Sequence, residues 1–163
     1  MKTEIIEITG TNDSLAEMVA LFRVELRAYK GIASKPNVEA GREELEEYLA
    51  AGFPVFAALA DGQFAGFLVC RVDSGIVWVE SIFVREEYRR RGLASALHSK
   101  AEEIVAAYGE ETVYNYVHPN NGRMISFLRK RGYTVLNLIE IRKPYEGERL
   151  KQKIRVGEHE FDY

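Results

Sequence analysis

The spacing of apolar positions changes period several times along the chain. Residues 3–8, "TEIIEI", predict a short strand, and "SLAEMVALFRVELRAY" places Leu15, Met18, Val19, Phe22, Leu26 and Tyr29 on one helical stripe. Ser14, followed three residues later by Glu17, reads as a capping box that starts this helix. A second helix is expected over 39–51, with Leu45, Tyr48 and Leu49 inward and Gly52 as its stop. The runs "FPVFAALA", "FAGFLVCRV" and "IVWVESIFV" that follow are rich in strand formers. "DGQ" and "DSG" separate them with hairpin-turn chemistry, so three consecutive antiparallel strands are expected.

Helical and extended patterns then alternate. A helix over about 90–108 ends at Gly109, with Leu93, Leu97, Ala101, Ile104 and Tyr108 inward, and is followed by a strand "TVYNYV". A helix over about 121–131 ends at Gly132, with Met124, Phe127 and Leu128 as core positions, and a strand "YTVLNLIEI" follows. Together these elements predict a mixed α/β (α+β) fold: a mostly antiparallel central sheet flanked by about four helices. Residues 1–143 form the domain. Residues 144–163 are an extension in which "KIRVGEHEFDY" alternates around Gly157 as a last strand or hairpin.

Composition narrows the choice of function. At 163 residues and 47% hydrophobic content, one domain with a sizeable core is expected. With 22 Lys+Arg against 25 Asp+Glu the formal net charge is −3, which argues against the broad basic surface of a nucleic-acid binder. The single cysteine, Cys70, leaves no internal disulfide and no cysteine-based metal site, and no metal is expected. The apolar runs are too short to span a bilayer, and "MKTEIIEITG" is acidic where a secretory signal would be apolar. The expectation is a soluble, cytoplasmic protein without a membrane partner.

Against the acidic balance stands "VREEYRRRGLASAL", in which Arg89, Arg90 and Arg91 precede a helix start. The first helical turn leaves backbone N–H groups without intrahelical partners, and the peptide dipoles make that end positive. Gly92 lacks a Cβ and Ala94 carries only a methyl, so an anion such as a phosphate can approach the amides closely. A bare basic triplet reads more simply as solvated side chains. Its surroundings favour the anion site.

The order of elements over roughly residues 3–142, with this loop between a strand and an amphipathic helix, resembles the GNAT family of N-acetyltransferases. In that family an Arg/Gln-x-x-Gly-x-Gly/Ala loop binds the pyrophosphate of acetyl-coenzyme A, and Arg89, Gly92 and Ala94 match its fixed positions. The resemblance implies acetyl-coenzyme A as cofactor, cradled by Arg89, Arg90, Arg91, Gly92, Leu93, Ala94 and Ser95. It also implies that the pantetheine arm pairs with the main chain of Ile82, Phe83 and Val84, as if adding a strand, and meets the side chain of Asn121. Asn120 is the neighbouring candidate, and one of the two reads equally well as a helix cap.

Catalysis by such an enzyme needs a neutral amine, because an ammonium has no lone pair for attack. Glu80 is the candidate base. Alternation puts it with Trp78, Ile82 and Val84 on one face, where a carboxylate costs several kcal/mol unless paired or hydrated. The alternative is a structural Glu, paired with an arginine or emerging at a splayed strand end. Cys70, within a strand and without a neighbouring histidine, argues for direct attack by the amine over an acetyl-enzyme.

One position breaks the family pattern. Where many members carry a tyrosine that protonates the departing thiolate, this chain has Leu128. Water, Tyr116, His118 or the released ammonium are the remaining proton sources. The acceptor is a small-molecule or peptide amine of unread identity, and a homodimer stays open. Two rival functions also remain: a non-catalytic acyl-coenzyme A binding module, which Leu128 favours, and an arginine-dependent nucleic-acid binder, which the acidic total disfavours.

Overall fold

The computed structural model describes residues 1–163. Its elements are β1 (Thr3–Glu7), α1 (Asp13–Tyr29), α2 (Val38–Ala50), β2 (Val55–Ala60), β3 (Gln63–Asp73), β4 (Ile76–Val84), a 3-10 turn over Glu86–Tyr88, α3 (Leu93–Ala107), β5 (Tyr114–Asn115), α4 (Gly122–Lys130), β6 (Lys153–Val156) and β7 (His159–Asp162). The chain divides into two units, residues 1–116 and residues 117–163.

In the first unit the strands form one sheet in the order β1-β2-β3-β4-β5. The first three pairings are antiparallel and β4–β5 is parallel. Asp61-Gly62 and Ser74-Gly75 make the two hairpin turns with all four residues at positive φ, which matches the twist of the flanking strands. On one face, Leu15, Met18 and Val19 of α1 and Leu45 and Tyr48 of α2 enclose a core with Val55, Phe67, Val69 and Phe83. The two helices approach closely at Gly41, where a Cβ would lie 2.3 Å from the Ala16 carbonyl oxygen, so only glycine fits. On the other side α3 packs against β2, β3 and β4 and buries Leu93, Leu97, His98, Ala101 and Val105.

Several expectations need correction. Helix α1 is capped by Asn12, whose Oδ1 accepts from the Leu15 N–H at 2.9 Å, and not by Ser14. Asn12 is extended and immediately precedes the helix, so Ser14 already lies inside the first turn. Tyr108 is exposed, because α3 ends at Ala107 and turns its last buried contact to Val105. His98, absent from the expected stripe, is fully buried, with Nε2 3.1 Å from the Asn115 Oδ1. The strand expected over "TVYNYV" is reduced to Tyr114–Asn115.

In the second unit, α4 is followed by an irregular stretch where "YTVLNLIEI" had predicted a strand. No neighbouring strand pairs with it, and extended backbone becomes a strand only through such pairing. Val135, Leu136 and Leu138 are consequently exposed. Strands β6 and β7 form a two-stranded antiparallel hairpin around Gly157.

Candidate active site

The β4–α3 connection is held by its own arginines. Arg89 is only 20% exposed at the side chain and pairs with Glu25 of α1. Its Nε donates to the Val84 carbonyl at 2.8 Å, and its guanidinium lies 5.6 Å from the Phe83 ring. Arg85 likewise pairs with Glu17 of α1. The loop is therefore anchored to α1 at two places. Arg90 and Arg91 remain exposed, with Arg91 over the Tyr88 ring.

The backbone is left-handed at Arg90 (φ 62°) and at Gly92 (φ 84°). In a non-glycine residue this conformation costs on the order of 1–3 kcal/mol, the kind of strain that clusters at binding loops. Gly92 is the N-cap of α3 and offers no side chain to its first turn. The first intrahelical bond runs from the Ala96 N–H to the Gly92 carbonyl at 3.0 Å, so the amides of Leu93, Ala94 and Ser95 are left for an outside acceptor. A Cβ at Gly92 would meet nothing within 4 Å, so the loop is open to solvent at that residue. Uncapped amides, a positive dipole end and two exposed arginines fit a pyrophosphate.

Glu80 lies at a β-bulge. Cys70 faces Val79 but Val69 faces Ser81, so Glu80 is the extra residue on β4. The bulge overturns the expected single face. Trp78 stays on the side of Glu80, while Ile82 falls opposite Leu68 and Val84 opposite Gly66, on the other face from Phe83. The side chain of Glu80 is 34% exposed, so it escapes the cost of a dry carboxylate, and its Oε2 lies 3.7 Å from the Arg71 Nε. The arginine partner that a structural Glu calls for is thus present.

The parallel partner β5 ends at Asn115, opposite Val79, so β4 loses its neighbour just before Glu80. Arg85 N–H donates to the Ala65 carbonyl at 2.9 Å, toward β3. Alternation turns the main-chain groups of Val84 and Ile82 to the opposite edge, the one β5 has left. Ile82 and Val84 therefore have the backbone orientation that an added strand needs, although Arg89 already occupies the Val84 carbonyl.

Next to the bulge is a polar network without a counterpart in the sequence reading. The Arg23 Nε donates to Glu44 at 2.7 Å and its NH2 to the Tyr48 hydroxyl at 2.9 Å, while Tyr48 donates to Glu44. The same hydroxyl is 3.4 Å from the Oγ of Ser81, which is buried beside Glu80. Burial pushes the Tyr48 phenol up to about 12. The helical spacing of Glu44 and Tyr48, four residues apart on α2, was the signal available for it.

Burial also pushes the Cys70 thiol up to about 12, far from a nucleophilic thiolate. In the second unit, Asn121 caps α4, its Oδ1 accepting from the Met124 N–H at 3.1 Å. Leu128 is buried, and His118 Nδ1 accepts from the Asn120 N–H at 3.1 Å. Tyr116, at the end of the first unit, is exposed.

A mixed sheet whose parallel pair parts at a bulge thus leads into an uncapped, arginine-flanked helix. The chain matches the acetyltransferase (GNAT) family over residues 18–133 and belongs to it. An N-alpha-acetyltransferase of Sulfurisphaera tokodaii is 30% identical over 110 residues, which cover 60% of this chain and 64% of that protein. This chain thus spans less than two thirds of that relative's length. Among solved structures, AAC(6')-Iy in complex with the bisubstrate analogue CoA-S-monomethyl-acetylneamine is 21% identical with a TM-score of 0.64, covering 89% of this chain and 99% of that one. The PaiA N-acetyltransferase of Thermoplasma acidophilum in complex with coenzyme A is 21% identical with a TM-score of 0.65, over 80% of this chain and 89% of that one. These two likenesses show the fold. No helix of the chain is long and apolar enough to cross a membrane.

Proposed function

We propose that the protein transfers an acetyl group from acetyl-coenzyme A to a primary amine by direct attack. The observation that carries this reading is the meeting, on one strand, of an exposed carboxylate at a bulge and an unpaired edge that runs into an uncapped helix start. Bound acetyl-coenzyme A supplies the acetyl group as a reactive thioester. The amides of Arg91 to Ser95 hold its pyrophosphate, Arg90 and Arg91 add charge at the rim, and Arg89 fixes the loop from behind. The free edge at Ile82 and Val84 orients the pantetheine arm, with Phe83 between them paired to β3.

Glu80 takes the proton of the incoming ammonium at its carboxylate and leaves a neutral amine to attack. Its partial exposure lets the acceptor reach it from solvent. Cys70, protonated and buried, supports transfer without an acetyl-enzyme. The name of the Sulfurisphaera relative, an N-alpha-acetyltransferase, favours an α-amine as acceptor. We place residues 1–143 in the acetyltransferase domain and 144–163 in an extension of it. A single free thiol fits the reducing cytoplasm.

The test is coenzyme A binding by calorimetry together with thiol release over amines of several classes. Binding that Gly92→Glu abolishes, with release dependent on one amine class, is the expected result. Tight binding by Gly92→Glu moves the cradle elsewhere. Binding without transfer to any amine makes the protein a non-catalytic acyl-coenzyme A module.

A further inference from the structure

We infer that Arg71 reads the acceptor, selecting an α-amine flanked by a carbonyl or carboxylate oxygen over a polycationic amine. The inference rests on the acetyl-transfer reading above, with Glu80 at the amine. The hairpin register sets Arg71 of β3 beside Trp78 of β4. Its guanidinium lies 4.0 Å over the indole ring, and Trp78 in turn meets Tyr114 of β5, with ring centroids 6.1 Å apart. The stack holds a planar fork at a defined orientation beside the carboxylate, which an unstacked lysine cannot do.

The separation of 3.7 Å between the Arg71 Nε and the Glu80 Oε2 is too long for a direct hydrogen bond. Arg71 is 34% exposed at its side chain, so solvent and a solute reach it. The other arginines around the site are engaged: Arg85 with Glu17, Arg89 with Glu25 and Val84, and Arg23 with Glu44 and Tyr48. A fixed cation next to a fixed anion, on an aromatic floor, complements a ligand that carries an ammonium and an oxygen acceptor on adjacent atoms. The α-amine of an amino acid or peptide N-terminus has that arrangement. A polyamine or aminoglycoside brings further positive charge toward Arg71 and is repelled.

The test uses the full chain and a peptide acceptor, compared with the same peptide whose first peptide bond is replaced by an alkene isostere, and with spermidine. Wild-type protein should lose about tenfold to a hundredfold in kcat/KM on the isostere, mainly through KM. Arg71→Gln should lose a similar factor on the parent peptide and little on the isostere, and Arg71→Lys should recover only part of it. If Arg71→Gln fails to fold, the Arg71→Lys comparison carries the test. An equal loss on both acceptors in the variant would show that Arg71 only orients Glu80 or the sheet and would overturn the inference, as would spermidine outcompeting the peptide on wild type. Coenzyme A binding with no transfer to any amine by wild-type protein would remove the acetyl-transfer reading itself, before any variant is compared.

Discussion

The Nε of Arg89 is bonded to the carbonyl oxygen of Val84 at 2.8 Å, which ties the first arginine of the loop to the end of β4. With Glu25 on its other side, Arg89 behaves as a fastening between strand, loop and α1. Hydrogen bonds from charged groups are worth about 1.5–3 kcal/mol, so Arg89→Ala should lower the melting temperature measurably. Arg90→Ala, at an exposed position without such partners, should change stability by no more than about 0.5 kcal/mol. It should instead weaken coenzyme A binding, and the more so at low salt, because its charge acts through solvent. Paired thermal melts and calorimetric titrations at two salt concentrations check both outcomes.

Glu80→Gln keeps the shape of the side chain and removes its capacity to accept a proton. Turnover at neutral pH should fall by about a hundredfold to ten-thousandfold, with cofactor affinity held within a few fold. Since Arg71 is the charge partner of Glu80, the variant also leaves an unpaired guanidinium, and a stability measurement must accompany the rates. A pH–rate profile identical to that of wild type removes Glu80 from the mechanism.

The turn chemistry made much of this site legible. Ser74-Gly75 is a two-residue hairpin loop, so pairing outward from it sets Asp73 against Ile76, Val72 against Val77 and Arg71 against Trp78. The neighbour of the candidate base was thus within reach of the sequence. The bulge was not, because the apolar alternation of "IVWVESIFV" runs through Glu80 without a break, and it reversed the faces of Ile82 and Val84. The uncapped start of α3 was readable, since Gly92 cannot cap with a side chain. The fastening of Arg89 was hidden, because Glu25 lies 64 residues away and periodicity carries no information about such pairs. The missing strand after Tyr133 has the same origin: its alternation describes an amphipathic segment and says nothing of a partner.

Cys70 offers a pH test of the core. Burial raises its thiol to about 12 from an ordinary value of 9.0. The folded state therefore holds the proton through a range in which the unfolded chain releases it. The stabilising contribution is complete below about pH 9 and is lost as pH rises toward 12. Tyr48, raised from 10.0 to about 12, adds a loss of the same sign. Denaturant melts should show stability falling above pH 9, more weakly in Cys70→Ala after correction for its lost packing. At pH 8 the native thiol should resist a disulfide reagent that labels it at once in denaturant. Rapid labelling of native protein contradicts the burial.

Leu128 stands where many members of the family carry a tyrosine, and it is buried. It follows Met124 by one helical turn, so the two share a face of α4, and a larger side chain must displace some of its surroundings. Overpacking costs about 1–3 kcal/mol, and a buried hydroxyl without a partner costs a similar amount again. Leu128→Phe should therefore lower the melting temperature, and Leu128→Tyr should lower it as much or more. If the chain works without a dedicated acid, neither variant gains turnover. The comparison separates ring from proton, because phenylalanine adds the same bulk without the O–H. A large rate gain confined to Leu128→Tyr, with the melting temperature still reduced, would mean that protonation of the leaving thiolate limits the wild-type enzyme. The leucine would then slow the reaction in exchange for packing. Equal turnover in all three proteins leaves protonation to water, Tyr116, His118 or the proton given up by the acceptor nitrogen, and makes the second half of the reaction independent of position 128.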